Sequence, residues 1–153
     1  MATTLLALAI LPAIVLLYVV YKEDKIEKEP IGLLVKLVIF GGLTVISAAI
    51  LESVFCAVLS SLLPSASGAY IFIENFLIVA VAEEGGKFLV LKKATWNNKE
   101  FNFSFDAIVY AVCVGLGFAL IENIMYVFSG GVSTAITRAL TAVPSHATDA
   151  VFM

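Results

Sequence analysis

From Leu33 to Leu63 the chain carries just two charged side chains, Lys36 and Glu52, among residues that are otherwise apolar or small. That run is longer than the roughly 20 apolar residues a helix needs to cross a bilayer. No soluble core of this size hides such segments repeatedly, and here they recur along the whole chain. Of the 153 residues, 61% are hydrophobic and 14% are charged, with a mean hydropathy of +1.06. Ordinary soluble domains run at about 45–50% apolar and about 25% charged. In lipid every backbone polar group must be satisfied within its own segment, so the expected fold class is all-α, a polytopic transmembrane helix bundle in a single domain.

Five spanning stretches are expected, at about residues 4–21, 33–63, 70–91, 105–128 and 132–153. The first has no basic flank before it and no small-residue cleavage site ahead of Lys22, so it reads as a retained helix rather than a signal peptide. Lysines mark alternate connections. Lys22, Lys25 and Lys28 lie in the first and Lys92, Lys93 and Lys99 in the third, whereas Pro64–Gly68 and Ser129-Gly130-Gly131 are uncharged. Basic loops stay cytoplasmic, which places the N-terminus on the extracytoplasmic side. The fifth stretch stays apolar to Met153 with no polar flank, so the visible chain is expected to be C-terminally truncated. Cys56 and Cys113 sit in apolar runs and read as buried free thiols. No basic patch points to nucleic acid.

Charges inside the apolar stretches separate into two kinds. Glu52, Glu74 and Asp106 lie near stretch ends, where interfacial or helix-start readings suffice. Glu83 and Glu84 do not: they stand about 12 Å inside Lys92 along a helix. Lys87 follows at i+4 from Glu83 and i+3 from Glu84, on the same face. One lysine neutralises one carboxylate, so the other needs a proton, a water or a partner on another helix. Gly85 and Gly86 leave room for close approach there, and Gly115 with Ala119 forms a small-xxx-small surface on the next stretch. Glu122 and Asn123 interrupt that stretch. Arg138 enters the fifth from the same side at a similar depth, so a Glu122–Arg138 pair competes with a catalytic role for Glu122. His146, the single histidine, follows Pro144, which invites a kink, and is spaced i,i+3 from Asp149. Depth counting puts His146 near Glu83 and toward the cytoplasmic half, and Glu122 toward the outer half.

Carboxyls, a lysine and a histidine converging from three helices can activate water. One glutamate takes the proton, and a histidine or second glutamate stabilises the oxyanion or protonates the leaving amine. The same residue types build proton relays, so a proton-coupled transporter or channel is the alternative in a different class. Glutamate and histidine are also zinc ligands, although their spacing forms no established zinc motif.

Taken in order, Glu83-Glu84-x-x-Lys87, Phe118-x-x-x-Glu122 with Asn123, and His146 within Pro144-Ser145-His146-Ala147 resemble the PrsW family of intramembrane proteases. That family is related to the type II CAAX prenyl proteases and to the APH-1 subunit of gamma-secretase. The resemblance implies a glutamic-type endopeptidase of a bacterial cell membrane, similar to site-1 proteases that cut a membrane-anchored anti-sigma factor in a stress response. It implies Glu83, Glu84, Lys87, Glu122 and His146 as the catalytic set, with either paired glutamate as the base. It implies no cofactor, with zinc as the alternative, and a membrane-anchored protein as partner. A non-catalytic scaffold like APH-1 remains a third reading.

Overall fold

The computed structural model describes residues 2–25 and 27–153, and the described residues contain helices and no β-strand. The chain is an all-α membrane helix bundle. Its elements are α1 (Ala2–Glu23), α2 (Ile31–Leu62), α3 (Gly68–Phe72), a π-helical segment (Ile73–Val79), α4 (Ala80–Thr95), α5 (Ser104–Leu140) and α6 (Ala142–Val151). Among the described residues, three runs are long and apolar enough to cross a membrane: Ala2–Glu23, Ile31–Leu62 and Ser104–Val151. Residues 68–95 form a helical rod without a break, but Glu83, Glu84, Lys87 and the terminal lysines make it far less apolar.

The Ser104–Leu140 helix is not one rod. Gly131 has φ 75° and ψ −160°, a conformation that glycine tolerates and side chains do not. Residues 122 and 138 would lie about 24 Å apart on a straight helix, yet the Arg138 guanidinium touches the Glu122 carboxylate at 2.5 Å. The chain therefore reverses at Gly131. A first arm (104–130) and a second arm (132–140) lie antiparallel, and α6 extends the return. The break before α6 falls at Thr141, three residues upstream of Pro144. Proline removes its own donor and crowds the carbonyl four residues back, which is Leu140, the last residue of α5. Pro144 then sits within the first turn of α6, where no intrahelical donor is required.

The first arm is the mast of the bundle. Every residue from Val109 to Ala119 is buried, with α1, α2, α4 and α6 around it. A helix apolar all round belongs at such a centre. α2 crosses it at two glycines: a Cβ on Gly41 would stand 2.1 Å from the Val114 carbonyl oxygen, and one on Gly117 2.1 Å from that of Val38. The anticipated small-residue contact at Gly115 is also present, with α6: a Cβ there would stand 2.7 Å from the His146 carbonyl oxygen. By contrast Gly85 has nothing within 4 Å, and Gly86 only ordinary contact with Thr44 and Ser47. The outward faces of α1 and α2 expose Leu11, Tyr18, Ile39, Ile46 and Phe55, as lipid-facing surfaces do.

The first and third connections meet at one end of the bundle. Asn102 donates to Glu27 at 3.3 Å, and the buried Tyr110 hydroxyl donates to the buried Glu29 carboxylate. Asp106 takes up the start of α5, accepting from the Phe103 and Asn102 backbone amides at 2.7 and 2.9 Å. This agrees with its reading as a helix-start carboxylate.

Two outcomes follow from this packing. Gly117→Ala should destabilise the protein by about 1–3 kcal/mol through overpacking, read as a lowered midpoint of thermal unfolding in detergent. Gly32→Ala, with open space around it, should not lower it. The second concerns Glu29, which lies outside the spanning helices. Burial, with Asp106 nearby, raises its pKa above the ordinary carboxyl value despite the Tyr110 hydrogen bond. A raised folded-state value gives stability that is present below the unfolded pKa and lost as pH rises through the folded one. Glu29→Gln should therefore flatten that loss in a series of melting curves taken from acid to neutral pH.

Candidate active site

The sequence-predicted residues meet between α4, the first arm of α5 and α6. Lys87 is fully buried, and its ammonium is the hub. It donates to Glu84 Oε1 at 2.7 Å, to Glu83 Oε2 at 3.4 Å and faces His146 Nδ1 at 3.1 Å. An ammonium has three hydrogens and no acceptor, so these three partners use it fully. Helical spacing explains the first two contacts, because Glu83, Glu84 and Lys87 share one face of α4. The third joins α4 to α6. The Phe118 ring closes the other side, 3.9 Å from the ammonium and 5.3 Å from the imidazole.

The same geometry assigns the histidine tautomer. Lys87 only donates, so His146 Nδ1 accepts. The ring proton is then on Nε2 and is donated to Glu122 Oε2 at 2.9 Å. That carboxylate oxygen also accepts from Arg138 Nη2 at 2.5 Å. Glu122 thus makes the pair with Arg138 that their similar depth suggested, and it also touches His146.

Depth counting separates Glu122 from His146 because it follows Cα positions. Gly115, seven residues before Glu122, is the residue opposite His146, a gap of about 10 Å along the arm. Side chains on a helix lean toward its N-terminus. On antiparallel helices that leaning is in opposite directions, so the two side chains converge and close the gap. The His146–Asp149 contact that i,i+3 spacing allows is not made; Asp149 accepts from Ser145 Oγ at 3.0 Å instead.

Phe118 and Asn123 belong to the site region without having been given roles from sequence. Their signal was spacing: Phe118 is one turn before Glu122 and shares its face. Directly before α4 lies the π-helical segment, a wider turn of a kind often found at functional sites. Asn75 and Val79 of this segment, with Ala80, Glu83, Glu84, His146 and Asp149, line a cavity of about 510 Å³. The carboxylates therefore stand beside an open space rather than in sealed packing.

Glu84 has one unmet need. Its Oε2 is buried without a hydrogen-bond partner, a costly condition that a water or an ion relieves. Ligand atoms from Glu83, Glu84 and His146 lie within 4.8 Å of one another. Two carboxylates and an imidazole suit zinc. The Glu122 carboxylate on the far imidazole nitrogen matches the usual support of a metal-bound histidine. The donor set thus fits a divalent metal held by Glu83, Glu84 and His146 Nδ1, with the Lys87 ammonium as the cation now among those atoms.

A family model described as PrsW family intramembrane metalloprotease matches residues 29–153. Curated relatives agree along nearly the whole chain. The chain is 36% identical over 150 residues to Protease PrsW of Geobacillus kaustophilus, covering 98% of this chain and 64% of that protein. It is 37% identical over 152 residues to Protease PrsW of Oceanobacillus iheyensis, covering 98% and 66%, and 31% identical over 149 residues to Protease PrsW of Bacillus subtilis, covering 97% and 65%. The chain spans a little under two thirds of the length of these relatives. No solved structure matches it. The family description speaks of a metalloprotease, which is compatible with the zinc alternative and does not bear out the expected absence of a cofactor. With its apolar helices, its convergent polar residues and a family match from residue 29 to Met153, the chain is a multi-pass membrane protein that belongs to the PrsW family of intramembrane metalloproteases.

Proposed function

We propose that this protein is an intramembrane endopeptidase that hydrolyses a peptide bond in a membrane-anchored protein. The observation that carries the reading is the Glu84 carboxylate, which lines the cavity beside Glu83, the Lys87 ammonium and the His146 imidazole and has one oxygen without a hydrogen-bond partner. Glu84 is the general base: its Oε1 is held by Lys87, which leaves Oε2 to take a proton from water. Glu83 is the second carboxylate at the same cation. Lys87 supplies fixed positive charge where negative charge develops, and the low dielectric of the bundle makes that charge effective. His146, held by Glu122, faces the same cavity: its unprotonated Nδ1 receives the proton that Glu84 took from water and gives it to the leaving amine. As the alternative chemistry, a divalent metal held by Glu83, Glu84 and His146 would supply the activated water at neutral pH, and these three side chains would then serve as its ligands. By its family, the substrate we favour is a membrane-anchored regulator such as an anti-sigma factor in a bacterial stress response.

In the membrane we place residues 68–95 across the bilayer beside the three apolar runs, with the N-terminus extracytoplasmic. The contacts of Glu27 with Asn102 and of Glu29 with Tyr110 put the first and third connections at one end. The lysines in both are the reason we assign that end to the cytoplasm.

The test is cleavage of a panel of single-span substrates by protein reconstituted in liposomes. Glu84→Gln and His146→Ala should each lower kcat by about 10²–10⁴-fold while thermal unfolding remains cooperative. Unimpaired cleavage by both variants would falsify the proposal. Chelator separates the two chemistries. Loss of cleavage that zinc restores assigns a metal, and cleavage that persists without bound metal assigns a glutamate-only site.

A further inference from the structure

Arg138 lies outside the three motifs and does not line the cavity, yet it is held on three sides. Its Nη2 donates to Glu122 at 2.5 Å and its Nε to Asn123 Oδ1 at 2.6 Å. Its guanidinium stacks 4.2 Å from the Tyr126 ring. Asn123 is buried in turn, and its amide donates to the Ala9 carbonyl of α1 at 3.3 Å. The planar fork thus spans two neighbouring side chains of the first arm from the returning arm, which a lysine's single ammonium cannot copy.

The consequence reaches His146. Glu122 Oε2 accepts from both Arg138 and His146, so the guanidinium fixes where that carboxylate oxygen stands. Together with Lys87, which can only donate, that oxygen fixes which imidazole nitrogen keeps its proton and which faces the ammonium. We infer that Arg138 is a positioning residue: through Glu122 it holds His146 in the Nε2–H tautomer, with Nδ1 turned to the Lys87–Glu83–Glu84 group. It touches neither the cavity nor the reacting atoms. The inference rests on the site reading above, but its test needs no substrate, so the two fail separately.

His146 is the single histidine, so ¹⁵N-histidine labelling of the full chain in nanodiscs yields one imidazole spectrum. In chelator-treated wild-type protein we expect Nε2 at the protonated position and Nδ1 at the unprotonated one. In Arg138→Met both resonances should move toward their mean as the tautomers mix. Arg138→Lys, which keeps the charge without the fork, should move them part of the way. In cleavage, kcat should fall by about 10–100-fold, as for partners that support a site from behind, with KM unchanged. An Nδ1–H tautomer in the wild type overturns the inference, as does a wild-type imidazole pattern in Arg138→Met. Should Arg138→Met fail to fold, Arg138→Lys decides: partly mixed tautomers support the inference and an unchanged pattern overturns it.

Discussion

A buried ammonium that spends all its hydrogens on three side chains organises this molecule. Lys87 has no access to solvent, and an isolated charge in that position would be ruinous. Its partners come from two helices, α4 and α6, with the Phe118 ring of α5 beneath it. Three helices must therefore arrive together for any of them to keep these residues. Replacing the whole group by apolar side chains would often be neutral or stabilising, so stability does not explain its presence. We attribute it to the function proposed at the cavity.

The bundle meets this requirement through the reversal at Gly131. Without it, Arg138 and His146 would lie tens of ångströms beyond Glu122; with it, they return alongside. The close α2–α5 crossing at Gly41 and Gly117 holds the mast against which the return packs. Arg138, Glu122, His146, Lys87 and Glu84 then form one connected polar path through apolar surroundings. In such a network each member constrains the next. A residue outside every motif can consequently shape the site as much as one inside.

Much of this was legible in the sequence, for physical reasons. Apolar length announced the membrane fold, and i,i+3 and i,i+4 spacing announced the Glu83–Glu84–Lys87 group. Arg138 was already a candidate partner of Glu122, because an uncharged Ser-Gly-Gly turn put them at equal depth. What spacing could not convey was direction. Glu122 and His146 were read as separated because side-chain lean on antiparallel helices has no signature in a residue count. The break at Thr141 was displaced from Pro144 because proline acts on the carbonyl four residues earlier. The roles of Phe118 and Asn123 stayed hidden because they depend on partners distant in the chain.

Metal and glutamate-only chemistry share this frame, since both need His146 brought to the α4 carboxylates. The most direct measurement is thus of that junction itself. In a double-mutant cycle, unfolding free energies are compared for wild type, Lys87→Met, His146→Phe and the double variant. A shared contact at the hub predicts a coupling of about 0.5–3 kcal/mol. Additive effects would mean that α4 and α6 do not meet at Lys87, and would contradict the account.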